Sequence, residues 1–168
     1  NASGRAGSGA ARLAEELRRA GADDIPQRHP GAVTVPGCID GWLELSRTMG
    51  RLELGEVLEP AIRLARKGFP ASRELAAAFA GRREELKDEP ATADMYPAGR
   101  PPLEGERIRR PDLAKTLEAI AERGRSGFYA GNVAEALAAA VDGNITGDDL
   151  DRVQADWVEP LGIDVFGH

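Results

Sequence analysis

The chain has 168 residues, 42% of them hydrophobic and 30% charged, enough for one core and too few to argue for two, so a single domain is the expectation. Its 22 Lys and Arg stand against 28 Asp and Glu for a net charge of −6, and no basic run is long enough to track a phosphate backbone, which sets nucleic acid aside as a partner. No apolar run approaches the roughly 18 residues of a membrane helix, and the single Cys38 excludes an internal disulfide and a multi-cysteine zinc site.

No signal-like segment opens the chain, so an exported protein is expected to carry its signal upstream of Asn1. Glycines at 4, 7 and 9 precede the first helical pattern, but their spacing matches neither the dinucleotide nor the Walker fingerprint, and no lysine follows in place. Ala10, Leu13, Ala14 and Leu17 recur at helical spacing, and Gly21 closes that helix. Asp23, Asp24 and His29 share a polar loop without any ligand spacing and read as solvated residues.

Val33-Thr34-Val35 then runs into Pro36 and Gly37. Pro36 fixes φ and has no donor, so a strand is expected to stop at Val35 and turn into a helix through Gly41 and Trp42. That helix turns Ile39, Trp42, Leu43, Ser46 and Met49 inward and ends at Gly50. Pro60 is expected to begin a fresh segment after a short turn at Leu54 to Leu58, since proline is accepted in a first helical turn and disfavoured inside. Ser72 is the expected N-cap of a helix through about Lys87, with Leu75, Phe79 and Leu86 inward.

Residues 89–111 hold five prolines, Pro90, Pro97, Pro101, Pro102 and Pro111, and read as a long surface excursion. Asp112 to Arg123 is helical, with Leu113, Leu117, Ile120 and Ala121 on one face and Gly124 as stop; a further helix is expected from about Asn132 to Val141. Asp142-Gly143-Asn144-Ile145-Thr146-Gly147 opens like a calcium loop, but the ninth and twelfth positions are Leu150 and Val153, so the glutamate that calcium requires is missing. Thr146 with Asp149 instead reads as the cap of a short helix. Trp157 to Phe166 looks like a strand broken by Pro160.

Several separated stretches together resemble the large-subunit region of the γ-glutamyltransferase (γ-glutamyltranspeptidase) family. They are Val33 to Trp42, Glu59-Pro60-Ala61-Ile62 with Gly68-Phe69, Pro111-Asp112-Leu113-Ala114 with Thr116-Leu117 and Ile120-Ala121-Glu122, Gly127-Phe128-Tyr129-Ala130-Gly131, Thr146-Gly147-Asp148-Asp149-Leu150, and Gly162 to Gly167. None is specific alone; their order and spacing agree over nearly the whole chain.

The resemblance implies an α+β fold, the αββα sandwich of the N-terminal-nucleophile hydrolases. In it, residues 1–168 form a single-domain fragment, the helical lobe of the large subunit, predominantly α-helical with short strands at its margins. It further implies a proenzyme that cleaves itself, freeing a threonine whose own α-amine serves as base when its hydroxyl attacks a γ-glutamyl amide. Thr34, Thr48, Thr92, Thr116 and Thr146 are internal, and the family's Thr-Thr-His occurs nowhere. The expected partners are therefore the catalytic small subunit of the same precursor and a γ-glutamyl small molecule, with no cofactor, no metal and a periplasmic or extracellular setting. The chain alone is expected to be inactive.

Many members hold the substrate's α-carboxylate with the arginine of an Arg-Glu-x-Ala-Pro stretch. Aligned on Ala6, that position is Ser3, and Arg5 lies two residues on. A guanidinium can grip a carboxylate bidentately and a hydroxyl cannot, so either Arg5 takes over the role or the acyl donor differs. A cephalosporin acylase or poly-γ-glutamate depolymerase of the same fold, or a non-catalytic helical interaction module, are the alternative readings.

Overall fold

The computed structural model describes residues 1–86, 90–96 and 99–165. In chain order the elements are α1 (Ala10–Arg19), α2 (Cys38–Met49), α3 (Leu54–Lys67), β1 (Phe69–Pro70), α4 (Arg73–Gly81), α5 (Arg83–Leu86), β2 (Arg107–Ile108), α6 (Pro111–Arg123), α7 (Ser126–Tyr129), α8 (Gly131–Ala140) and α9 (Gly147–Asp151). Single 3₁₀ turns lie at Pro30–Ala32 and Pro90–Met95. The chain is thus predominantly helical with short strands, and it divides into two compact units, residues 1–51 with 128–168 and residues 52–127.

In the first unit Leu13, Val35, Ile39, Val141, Ile145 and Leu150 are buried apolar side chains. The loops between the helices are held by buried polar side chains. Asn144 Nδ2 donates to the carbonyls of Pro30 (2.9 Å) and Val33 (2.7 Å). The Tyr129 hydroxyl donates to Pro36 O at 2.6 Å and accepts the Asp40 N–H at 3.3 Å, while Asp40 Oδ2 accepts the Gln154 N–H at 2.7 Å. Val33 has the extended backbone expected of it, yet residues 33–35 form no strand among the described residues, because their main-chain groups meet a side-chain amide and the separate carbonyls of Pro30 and Arg5 instead of a neighbouring strand.

The cap at the start of α9 has the form expected from its residues. Thr146 Oγ1 and Asp149 form a capping box, and the Asp149 carboxylate also accepts the Ser8 N–H (2.9 Å) and Ser8 hydroxyl (2.7 Å) from the far end of the sequence. Burial alone would raise the Asp149 pKa, but the hydrogen bonds from Ser8 and then Thr146 outweigh it and hold the carboxyl at about 2.

The α2 boundaries are as expected, but its buried face is not. Ile39 and Asp40 are buried, whereas Trp42 is 42% and Met49 66% exposed, because the helix turns toward the Asp40 carboxylate's partners and away from the larger apolar stripe. Residues 157–165 likewise form no strand among the described residues, and Trp157, Val158, Leu161 and Ile163 are exposed, since no strand is there to pair with them. Phe166 and Gly167 lie outside the described residues.

In the second unit, α3 packs along α6 and the Arg66 guanidinium bonds to Glu118 across the pair. Leu58 and Ala65 on α3 and Ala114, Leu117 and Ile120 on α6 are buried. Leu113 is 39% exposed and does not share that face. Pro60 does not begin a new helix: it sits inside α3, exposed, with turns on both sides of it continuous. The Glu53–Glu56 capping box starts the helix well before the proline, and burial of both Leu58 and Ala65 offsets the missing Pro60 N–H.

Gly68, at φ +87°, ends α3 where a Cβ would stand 2.7 Å from Ile108 O, and the chain then pairs β1 with β2 antiparallel, Phe69 opposite Ile108. Ser72 caps α4 through Leu75 N–H as expected, but that helix stops at Gly81, where the low helix propensity of glycine allows a turn at Arg82 before α5. The anticipated end near Lys87 and the excursion's Pro97 lie outside the described residues. Tyr96, 4% exposed, packs edge-on against Phe79 with centroids 5.2 Å apart, so part of the proline-rich excursion is core.

Two outcomes follow. Asp149→Asn should cost on the order of 1–3 kcal/mol at neutral pH. A carboxyl with a lowered folded-state pKa contributes fully above its unfolded value, near 4, and loses that contribution as pH falls toward about 2. Urea titrations at pH 7, 4 and 3 should therefore show the gap between wild type and variant closing with acid, and a constant gap would refute the assignment. Pro60→Ala should restore the bond to Glu56 O and raise stability by about 1–3 kcal/mol, read as a higher denaturation midpoint at unchanged slope.

Candidate functional site

The segment Asn1–Arg5 threads through the first unit between the 33–37 corner and residues 154–156. Its glycines make that passage possible: a Cβ on Gly4 would lie 1.6 Å from Val35 O, and one on Gly37 would lie 2.1 Å from Ala2 O. The Val35 N–H donates to Arg5 O at 2.9 Å, and the Arg5 N–H donates to Gln154 Oε1 at 3.4 Å on the other side. Asn1 and Asp156 exchange both backbone bonds, at 2.7 and 2.8 Å. Gly7 and Gly9 approach the backbone of residues 143–144 in the same way, with the Gly9 N–H bonded to Asn144 O at 3.0 Å. The glycine spacing that resembles no phosphate loop is thus a set of backbone crossings.

Of the two residues singled out from the sequence, Ser3 is exposed and its N–H donates to Asn1 Oδ1 at 3.0 Å. Arg5 reaches Asp156, Nη2 to Oδ2, at 2.8 Å, with both side chains 58% exposed. Beside them lies a cleft of about 190 Å³ lined by Ala2, Gly41, Glu44, Leu45, Asp156 and Trp157 among others. Glu44 Oε1 accepts the Trp157 indole N–H at 2.7 Å, and Arg47 grips the same carboxylate at 2.7 and 3.0 Å. Those bonds, Arg47's first and Trp157's second, hold the Glu44 carboxyl at about 2. The neighbourhood therefore presents two ion pairs, Arg5 with Asp156 and Arg47 with Glu44.

Nothing in the sequence pointed to Asp156, Glu44 or Trp157. Their meeting depends on the backbone exchange between residues 1 and 156, which no local pattern announces. Four of the five threonine hydroxyls are tied up in local structure: Thr48 bonds Glu44, Thr92 bonds Leu86 O, Thr116 bonds Asp112 O and Thr146 caps α9. His29 Nδ1 accepts the Gly31 N–H as a turn cap. Among the described residues no group of three or more His, Cys, Asp or Glu is arranged to hold a metal, and no helix is long and apolar enough to cross a membrane.

Comparison with known proteins places the chain. It is 36% identical over its full length to the glutathione hydrolase-like YwrD proenzyme of Bacillus subtilis, and 40% identical over 96% of its length to the oxamate amidohydrolase proenzyme of Klebsiella pneumoniae. The crystal structure of cephalosporin acylase from Bacillus halodurans superposes on 98% of the chain with a TM-score of 0.86 at 34% identity. The chain spans about a third of these relatives, 32% of each, and the α+β fold expected from the sequence is the fold of these neighbours. The profile of the family described as gamma-glutamyltranspeptidase matches residues 1–168 throughout, and the chain belongs to that family.

Proposed function

We propose that this chain is the helical lobe of the large subunit of a γ-glutamyltransferase-like enzyme whose nucleophile lies outside residues 1–168. In the reaction a threonine at a newly cut terminus attacks the side-chain amide of a γ-glutamyl donor, its hydroxyl proton passing to its own α-amine. The donor's C–N bond breaks, its amine leaves with the proton returned by the threonine α-ammonium, and an amino acid, a dipeptide or water takes the acyl group from the threonine ester. The observation that carries the reading is the family match over the whole chain, together with relatives that are proenzymes about three times as long. Thr92, Thr116 and Thr146, engaged as a helix cap and as backbone partners, support placing the nucleophile elsewhere.

Arg5 is the group we assign to the donor's carboxylate. Its backbone is gripped on both sides beside the cleft, whereas Ser3 offers a short hydroxyl without charge. A second reading, an acylase or amidohydrolase of the same fold acting on a different acyl group, is favoured by the substitution of Ser3 at the usual arginine position and by the names of two similar proteins.

The purified 168-residue polypeptide should release no p-nitroaniline from γ-glutamyl p-nitroanilide, and release that survives purification to homogeneity would overturn the placement of the nucleophile. In the full-length protein, Arg5→Ala should lower kcat/KM for that donor by about 10- to 100-fold, the worth of a charged hydrogen-bonded contact. It should spare the α-carboxamide analogue. An unchanged ratio between the two donors would remove Arg5 from the site, and a gain for Ser3→Arg would return the role to position 3.

A further inference from the structure

The Arg5 guanidinium already has a carboxylate on it. Asp156 supplies that carboxylate through one contact, Nη2 to Oδ2 at 2.8 Å, and both side chains are 58% exposed. A single-point pair in water is weak, and a carboxylate that grips a guanidinium at two points displaces it readily. The pairing is nevertheless built into the backbone. Asp156 is held opposite Asn1 by two main-chain bonds, Arg5 is held between Val35 and Gln154, and the register of those contacts brings the two side chains together.

Asp156 also lines the cleft, together with Glu44, whose charge is fixed by Arg47 and Trp157. With Arg5 paired to Asp156 and Glu44 gripped by Arg47, a second carboxylate entering this region meets two ion pairs that are already neutralised. With Asp156 displaced or removed, it meets an uncompensated cation.

We infer that Asp156 is a specificity-determining residue, an internal carboxylate that competes with the donor's own carboxylate for Arg5 and so lowers the enzyme's preference for donors with a free α-carboxylate. The inference rests on the reading that Arg5 faces the donor, and it names the substrate class that this site admits: amides whose acyl part carries no charge at that position are penalised less than they would be were Arg5 unpaired.

The test uses the full-length, self-processed protein and two donors, γ-glutamyl p-nitroanilide and its α-carboxamide analogue. Asp156→Asn retains the backbone pair with Asn1 and removes the competing charge. It should raise the kcat/KM ratio of carboxylate to carboxamide donor by about 3- to 10-fold, carried by a lower KM for the carboxylate donor, and the gain should vanish in the Arg5→Ala background. It should also shrink as salt is raised, because the competition is between exposed charges. Asp156→Ser carries the same expectation and serves where the asparagine variant does not process itself.

A ratio unchanged by both Asp156 variants, while Arg5→Ala changes it, overturns this inference alone. A ratio that Arg5→Ala leaves unchanged, or a wild type that turns over neither donor, overturns the assignment of Arg5 and this inference with it.

Discussion

The side-chain amide of Asn144, 1% exposed, donates to two carbonyls more than a hundred residues away, those of Pro30 and Val33. Much of the first unit depends on bonds of this kind. Its described residues contain no paired strands, so the loops between helices have no ladder in which to satisfy their main-chain groups. A buried N–H or C=O without a partner is costly, and Asp40, Asn144, Asp149 and Gln154, each at most 4% exposed, supply partners in place of a sheet. The corner at Val33–Gly37 is fixed by these contacts and by the Tyr129 hydroxyl on Pro36 O; the Asn1–Arg5 segment is fixed against the corner, and Arg5 is presented beside the cleft as a result.

Local physics was legible in the sequence where it was decided locally. The bounds of α2, the Ser72 cap, the Thr146–Asp149 box and the stops at Gly21, Gly50 and Gly124 were expected from residues within one turn of where they occur. The failures share a different cause. Pro60 ought to break a helix and does not, because α3 is held along its length by α6, a partner some 50 residues on. Val33–Val35 has the composition of a strand but is given a side chain in place of a neighbour. Trp42 and Met49 fit an apolar stripe by spacing, yet the buried positions on that helix went to Ile39 and Asp40, the latter bonded by the Gln154 N–H and the Tyr129 hydroxyl from distant parts of the sequence.

The candidate site shows the same division. Arg5 and Ser3 were found by likeness to a family motif; periodicity and spacing say nothing about them. The residues that surround Arg5 were missed altogether, since Asp156 is an acidic residue in a featureless stretch until residue 1 is laid against it. Exposed apolar side chains flank this region, with Leu45 53% and Trp157 56% accessible.

The contact between Arg5 and Asp156 joins positions 151 residues apart. On a ribosome adding roughly 5–20 residues per second, Arg5 is synthesised roughly 8–30 s before its partner. During that interval the opening glycine-rich segment has neither the 154–156 edge nor the residues 143–144 against which Gly7 and Gly9 close. Closure of the Asn1–Gly9 segment therefore waits on residues 143–156, and the helices between them are free to form first. A slow stretch ahead of residue 156 would lengthen the interval in which Arg5 waits without its partner.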